Sequence, residues 1–147
     1  MNMNMTNKTK EITAEDKVLI ALKLMPKELV AAFALECSSR ASAYAAKVAL
    51  LAASATSYTS YAIHKASYYA QAALSASDKA SYDAPTAAQA AYDAAFYAAK
   101  VAAYAQAALS ASDKAPYGAT YDAAAIASIE EQDLQLKSIA QLNKGIK

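Results

Sequence analysis

Glycine occurs only twice in this chain of 147 residues, at Gly118 and Gly145, and proline three times. Tight hairpins need residues that accept positive φ, so a chain this poor in glycine has almost nowhere to place them, and a hairpin-built β fold is excluded. The single cysteine, Cys37, cannot form an internal disulfide, and mid-helix beside Glu36 it reads as a small buried thiol rather than an activated nucleophile. The single histidine, His64, has no second imidazole, Cys-x-x-Cys pair or acidic pair in register with it. A metal site or a general acid–base relay is therefore not expected, and neither is any cofactor. With no glycine cradle and no nucleophile–base pair, the chain does not read as an enzyme.

Charge is also in short supply as a field. Fourteen basic and thirteen acidic residues are scattered to a net +1, which gives neither the basic face that nucleic acid or anionic membrane requires nor the acidic surface of a DNA mimic. The longest strongly apolar run, Val18 to Met25, is short and broken by Lys23, and the alanine-rich stretches carry Lys47, Lys65 and Lys100, so no membrane span is expected. The first residues lack the charged, apolar, small-residue order of an export signal, and a reducing cytosol is the expected compartment.

What is present is alanine and tyrosine. About 42 alanines, the strongest intrinsic helix formers, and eleven tyrosines predict an all-α protein. The chain is organised around a duplication: YAQAALSASDKASYD at Tyr69–Asp83 returns as YAQAALSASDKAPYG at Tyr104–Gly118, changed only from Ser81 to Pro116 and from Asp83 to Gly118. An offset of 35 residues suits one helix plus its connection. The expected fold is a compact antiparallel bundle of about five helices, with residues 1–12 as a frayed tail and 13–147 as one helical domain.

Individual boundaries follow from caps and breakers. Thr13 with Glu15 and Asp16 resembles a capping box opening a first, greasy helix from Ala14 to Met25. Pro26 suits the first turn of a second helix running to about Ser54, with Glu36 and Arg40 as an i,i+4 ion pair on a solvated supporting element. A break near Thr56 precedes a third helix from Ser57 to Ser77. The repeated Ser77-Asp78-Lys79-Ala80 and Ser112-Asp113-Lys114-Ala115 read as the two clearest turns, bracketing a fourth helix from Pro85 to Ala111. Thr120 is expected to cap a fifth helix ending near Lys144, with Gly145 as an αL cap and an aliphatic stripe of Ile126, Ile129, Leu136, Ile139 and Leu142. That stripe would close the bundle or seek another chain, a route to self-association.

Alanine faces let helix axes approach closely, yet each methyl buries only about 0.8 kcal/mol, so the tyrosines must supply large contact area with their hydroxyls kept wet. Alanine is expected at helix crossings and tyrosine at their margins. The sharpest constellation is a lysine flanked by rings at helical spacing: Tyr61, Lys65 and Tyr68, then Tyr97, Lys100 and Tyr104, with Tyr44, Lys47 and Leu51 as a partial third. Converging, these groups would hold a small anion or nucleotide. Left at the surface, each lysine lies over its ring, and the tyrosines form a partner-docking face on helices three and four.

Two stretches carry a resemblance. AAFALECSSRASAYA at Ala31–Ala45, with its Ala-x-x-Cys-x-x-Arg order, and AAYDAAFYAAKVAAYA at Ala90–Ala105 resemble the alanine-rich immunity proteins encoded beside polymorphic toxins and similar phage-encoded Ala/Tyr-repeat proteins. The histidine-rich alanine segments of that family are reduced here to His64. The resemblance implies a compact helical protein that binds and neutralises another protein, a toxin or a defence protein, and it supplies no catalytic residues.

Overall fold

The computed structural model describes residues 13–145, which form five α-helices and no strand. They are α1 (Ala14–Lys23), α2 (Lys27–Ala49), α3 (Ser57–Tyr82), α4 (Ala87–Ser112) and α5 (Tyr117–Lys144), with single 3₁₀ turns at Ala52–Ser54 and Ala84–Thr86. The expected frayed tail, 1–12, lies outside the described residues.

Three of the four corners are made by proline. Pro26 caps α2 and Pro116 caps α5, each supplying a fixed φ near −60° and a missing amide where the helix has no use for one. Pro85 has no amide to offer the Ser81 carbonyl, and the chain leaves the helix at Asp83, φ −115° and ψ 84°, before the 3₁₀ turn that contains the proline. The corner without proline, between α2 and α3, uses Thr56, whose hydroxyl accepts from the Thr59 amide at 3.3 Å. Thr13 does the same for α1, accepting from Asp16 N–H at 3.1 Å.

The duplicated segment takes two conformations. In the first copy α3 runs straight through Ser77-Asp78-Lys79-Ala80 to Tyr82, so the turn expected there is a helix, and Ser77 is buried. In the second copy the same residues end α4 at Ser112 and turn. Lys114 adopts φ 62°, its amide bonds Ala111 O at 3.0 Å, and Ala115 N–H reaches Ser110 O at 2.9 Å. This is the paired 6→1 and 5→2 pattern of a Schellman close, with lysine in the seat that glycine usually takes. Pro116 accounts for the difference. It stands inside the second copy, where it forbids Ala115 the α region and would strike the carbonyl of Ser112, whereas Pro85 stands two residues beyond the first copy.

Two further expectations at α5 are corrected by the same chemistry. Its start is Pro116–Tyr117 rather than Thr120, which is buried within the helix, and Gly145 closes it in the αR region at φ −73° instead of αL.

α4 is the hub, packed against each of the other four helices. It buries eleven alanines and Val101, one residue or more on every turn. The large side chains come to it from outside: Val18 and Leu22 of α1, Val30, Phe33 and Val48 of α2, Ile139 of α5. α2 is thus a core element, not the solvated support its charged face suggests. No tyrosine is buried; all eleven stand at the margins of the crossings, half-buried or exposed. No helix among the described residues is long and apolar enough to cross a membrane.

Candidate functional site

Eight of the eleven tyrosines touch one another in an unbroken chain of rings across α3, α4 and α5. From α5, Tyr121 meets Tyr117 edge-on at 4.7 Å between centroids, and Tyr117 meets Tyr58 of α3 at 6.0 Å. Tyr58 leads to Tyr61 at 6.4 Å, Tyr61 to Tyr104 of α4 at 6.2 Å, and Tyr104 stacks on Tyr69 at 5.8 Å. Tyr69 then bridges to Tyr97 at 5.8 Å and to Tyr68 at 5.1 Å, and Phe96 extends the chain beyond Tyr97.

The band exists because small and large residues alternate in register. Alanines at the α3–α4 crossing bring the axes together, and the rings that cannot enter the crossing line up along its rim. Its exposed members are Tyr61, Tyr68, Tyr117 and Tyr121, at 50%, 60%, 63% and 57% of their full surface, while Tyr58, Tyr69, Tyr97 and Tyr104 form a half-buried floor. Burial raises the Tyr58 and Tyr104 hydroxyls above their ordinary value, as a phenolate beside other rings would be poorly solvated. The Tyr117 and Tyr121 hydroxyls share a hydrogen bond at 2.9 Å, which raises the Tyr117 hydroxyl as well.

The two expected lysine constellations fare differently. Lys65 sits between its two rings, Nζ 5.7 Å from the Tyr61 centroid and 5.8 Å from that of Tyr68. Lys100 instead lies over Phe96 at 5.3 Å and turns toward α5, lining a cleft with Tyr58, Tyr104 and Tyr121. Tyr97 and Tyr104 thus join the ring chain without their intervening lysine, which stands on a different flank of α4. Lys47 lines a separate cleft with Tyr44 on the far side of the bundle. His64 is exposed.

The most elaborate polar cluster was not legible in the sequence. Glu131 of α5 is wholly buried and is gripped by Arg40 of α2, with Nε at 2.9 Å from Oε1 and Nη2 at 2.8 Å from Oε2. Tyr44 Oη donates to Oε1 at 2.6 Å, and Gln135 Nε2 donates to Oε2 at 2.9 Å and also to Ala95 O of α4 at 2.9 Å. The expected Glu36–Arg40 ion pair therefore does not form; Glu36 accepts instead from Ser138 Oγ. Burial lowers the Arg40 pKa, but the hydrogen bond and charge of Glu131 outweigh it and the net direction is upward. Burial first, then the bond to Glu131, raises the Tyr44 hydroxyl. Cys37, next to this cluster, is raised mainly by burial, which leaves an inert thiol.

The cluster ties α2, α4 and α5 together, and among the described residues no buried side-chain polar atom is left without a partner, as in a structural clamp. Among the described residues no three of His, Cys, Asp and Glu gather as metal ligands. Comparison with protein-family models, with characterised proteins and with solved structures gives no match for this chain.

Proposed function

We propose that this protein is a non-catalytic interaction protein, an inhibitor of the immunity type, that neutralises a toxin or defence protein by docking it on the tyrosine band. The observation that carries the reading is the continuous chain of eight rings, four of them at least half exposed. Tyrosine offers large amphipathic area with two rotatable side-chain bonds, and here each ring is braced by its neighbours, so little side-chain entropy is lost on binding. Lys65, held between Tyr61 and Tyr68, adds a cation at the centre of that face.

The reading includes two architectural points. The order of ring pairs, Tyr61 with Tyr104 and Tyr69 with Tyr97, supports an antiparallel α3–α4 hairpin, and the 35-residue duplication supports an origin of that hairpin and its α5 corner from one repeated unit. The near-neutral surface and the lone reduced cysteine suit a cytoplasmic partner.

The test is differential capture from the native host. Immobilised wild type should retain a partner in a one-to-one complex. Tyr61→Ala/Tyr68→Ala, folded by circular dichroism, should lose it, while Tyr82→Ala, exposed but outside the band, should keep it. Identical capture by all three proteins would remove the band from the interface.

A further inference from the structure

A second feature of the band adjoins its exposed face and shares Tyr121 with it. Between α3, α4 and α5 lies a cleft of about 290 Å³, at the lower edge of the range for ligand pockets. Its floor is four alanines, Ala103 and Ala107 of α4 with Ala124 and Ala125 of α5, and its walls are the rings of Tyr58, Tyr104 and Tyr121. Lys100 is the one cation in the lining. Alanine side chains are short and apolar, and the three phenols in the lining bring rings and hydroxyls to the same cleft. Such a slot discriminates by shape for a planar ring system, since base–aromatic stacking is tolerant of ring identity.

Lys100 decides the charge of what fits there. Its amine forms no ion pair among the described residues. Lys100 also lines the adjoining small cleft, together with Glu15, Phe96, Ala99 and Ser128; Glu15 there accepts from Gln132 Nε2 at 3.4 Å and stands beyond ion-pair distance of the lysine. An exposed ammonium that lines an apolar slot and has no carboxylate within ion-pair distance is a place for an anionic oxygen.

We infer that this cleft binds a planar aromatic anion: a ring lying on the alanine floor between Tyr104 and Tyr121, with its phosphate or carboxylate on Lys100. The site is independent of the protein-docking reading. It also differs from the converging-lysine site expected from sequence, because Lys65 takes no part and Tyr58 and Tyr121, absent from that expectation, supply two of the three walls.

The experiment is a titration of the full chain with adenosine 5′-monophosphate and 1-naphthoate, following tyrosine ring-proton resonances by NMR. Adenosine and inorganic phosphate serve as half-ligands. The expected result is saturable shifts of Tyr58, Tyr104 and Tyr121 with both anions, and at least tenfold weaker effects with either half-ligand. Lys100→Ala should weaken adenosine monophosphate at least tenfold without changing adenosine, Lys100→Arg should restore most of that loss, and Tyr121→Ala should weaken both. Lys100 and Tyr121 are exposed, so these variants keep the fold. The inference is overturned by no saturable shift at 10 mM probe, a concentration on the order of the weakest useful affinities. It is equally overturned by equal binding of adenosine and its monophosphate with Lys100→Ala silent, or by shifts confined to Tyr61 and Tyr68. Protein capture by the exposed band is read separately, so either result stands without the other.

Discussion

Replacing Arg40 by methionine isolates the role of the buried carboxylate. The substitution keeps an unbranched aliphatic stem and removes all three guanidinium bonds to Glu131, at 2.9, 3.2 and 2.8 Å. Breaking one partner out of a fully buried pair costs about 3–5 kcal/mol, because the remaining charge is stranded. Two features of this site reduce that figure. Tyr44 and Gln135 still donate to the carboxylate, and the Arg40 side chain is 26% exposed, so water can follow the departing guanidinium. A loss of about 2–4 kcal/mol is expected. Glu131→Met should cost less, about 1–2 kcal/mol, since Arg40 can rehydrate, Gln135 retains Ala95 O, and Tyr44 is half-buried. The double variant, with an apolar pair in place of the ionic one, should be more stable than Arg40→Met alone, a non-additivity of at least about 1 kcal/mol. Urea unfolding followed by circular dichroism at neutral pH measures all four corners of the cycle. A loss below about 1 kcal/mol for Arg40→Met, or strict additivity in the double variant, would refute the view that the buried Glu131 depends on Arg40.

Two other outcomes follow from the geometry. Lys114→Gly should stabilise the chain by about 0.5–1 kcal/mol, read as a higher urea midpoint, because glycine meets no Cβ penalty at φ 62°; an unchanged or lower midpoint would mean the lysine side chain contributes more than its backbone strain costs. Stability should also fall with alkali above about pH 9: the Cys37 thiol, ordinarily 9.0, and the Tyr44 hydroxyl, ordinarily 10.0, are both raised in the fold, so the unfolded chain releases protons that the folded chain retains. The Cys37 part alone has a slope of up to about 1.4 kcal/mol per pH unit, and Cys37→Ala should flatten the segment between pH 9 and 10; a urea midpoint constant from pH 8 to 10.5 would contradict both shifts.

The helical class, the Thr13 cap, the break at Thr56 and the division of labour between alanine and tyrosine are legible in the sequence because each rests on local chemistry or on composition. The repeat misled at Ser77–Ala80, where local turn chemistry is identical to that of Ser112–Ala115 and the deciding residue, Pro116, lies outside the shared words. Spacing of i,i+4 offers Arg40 a partner one turn away in Glu36, while its partner in the fold is 91 residues distant. One signal for that partner was present. With Leu136, Ile139 and Leu142 marking the inward side of α5, Gln135 and Glu131 continue the Ile139 row backwards at i−4 and i−8, so polar groups occupied core positions and required a buried counterpart. The cleft beside Lys100 escaped notice because spacing along α4 relates Lys100 to Tyr97 and Tyr104 but says nothing of Tyr58 or Tyr121, which arrive from other helices.

The alanine spine of α4 has a consequence for how this protein can change over generations. Each of its eleven buried methyls fills the space between close axes, so a larger residue there must force helices apart and a glycine gives up about 1 kcal/mol of helix preference. Substitution along that spine is therefore selected against almost regardless of what the protein binds. The exposed rings of Tyr61, Tyr68, Tyr117 and Tyr121 carry no such constraint, and exchanging one alters the outer face while the crossing beneath stays fixed. The rim can therefore change one ring at a time, each step inherited on a scaffold that has not had to refold.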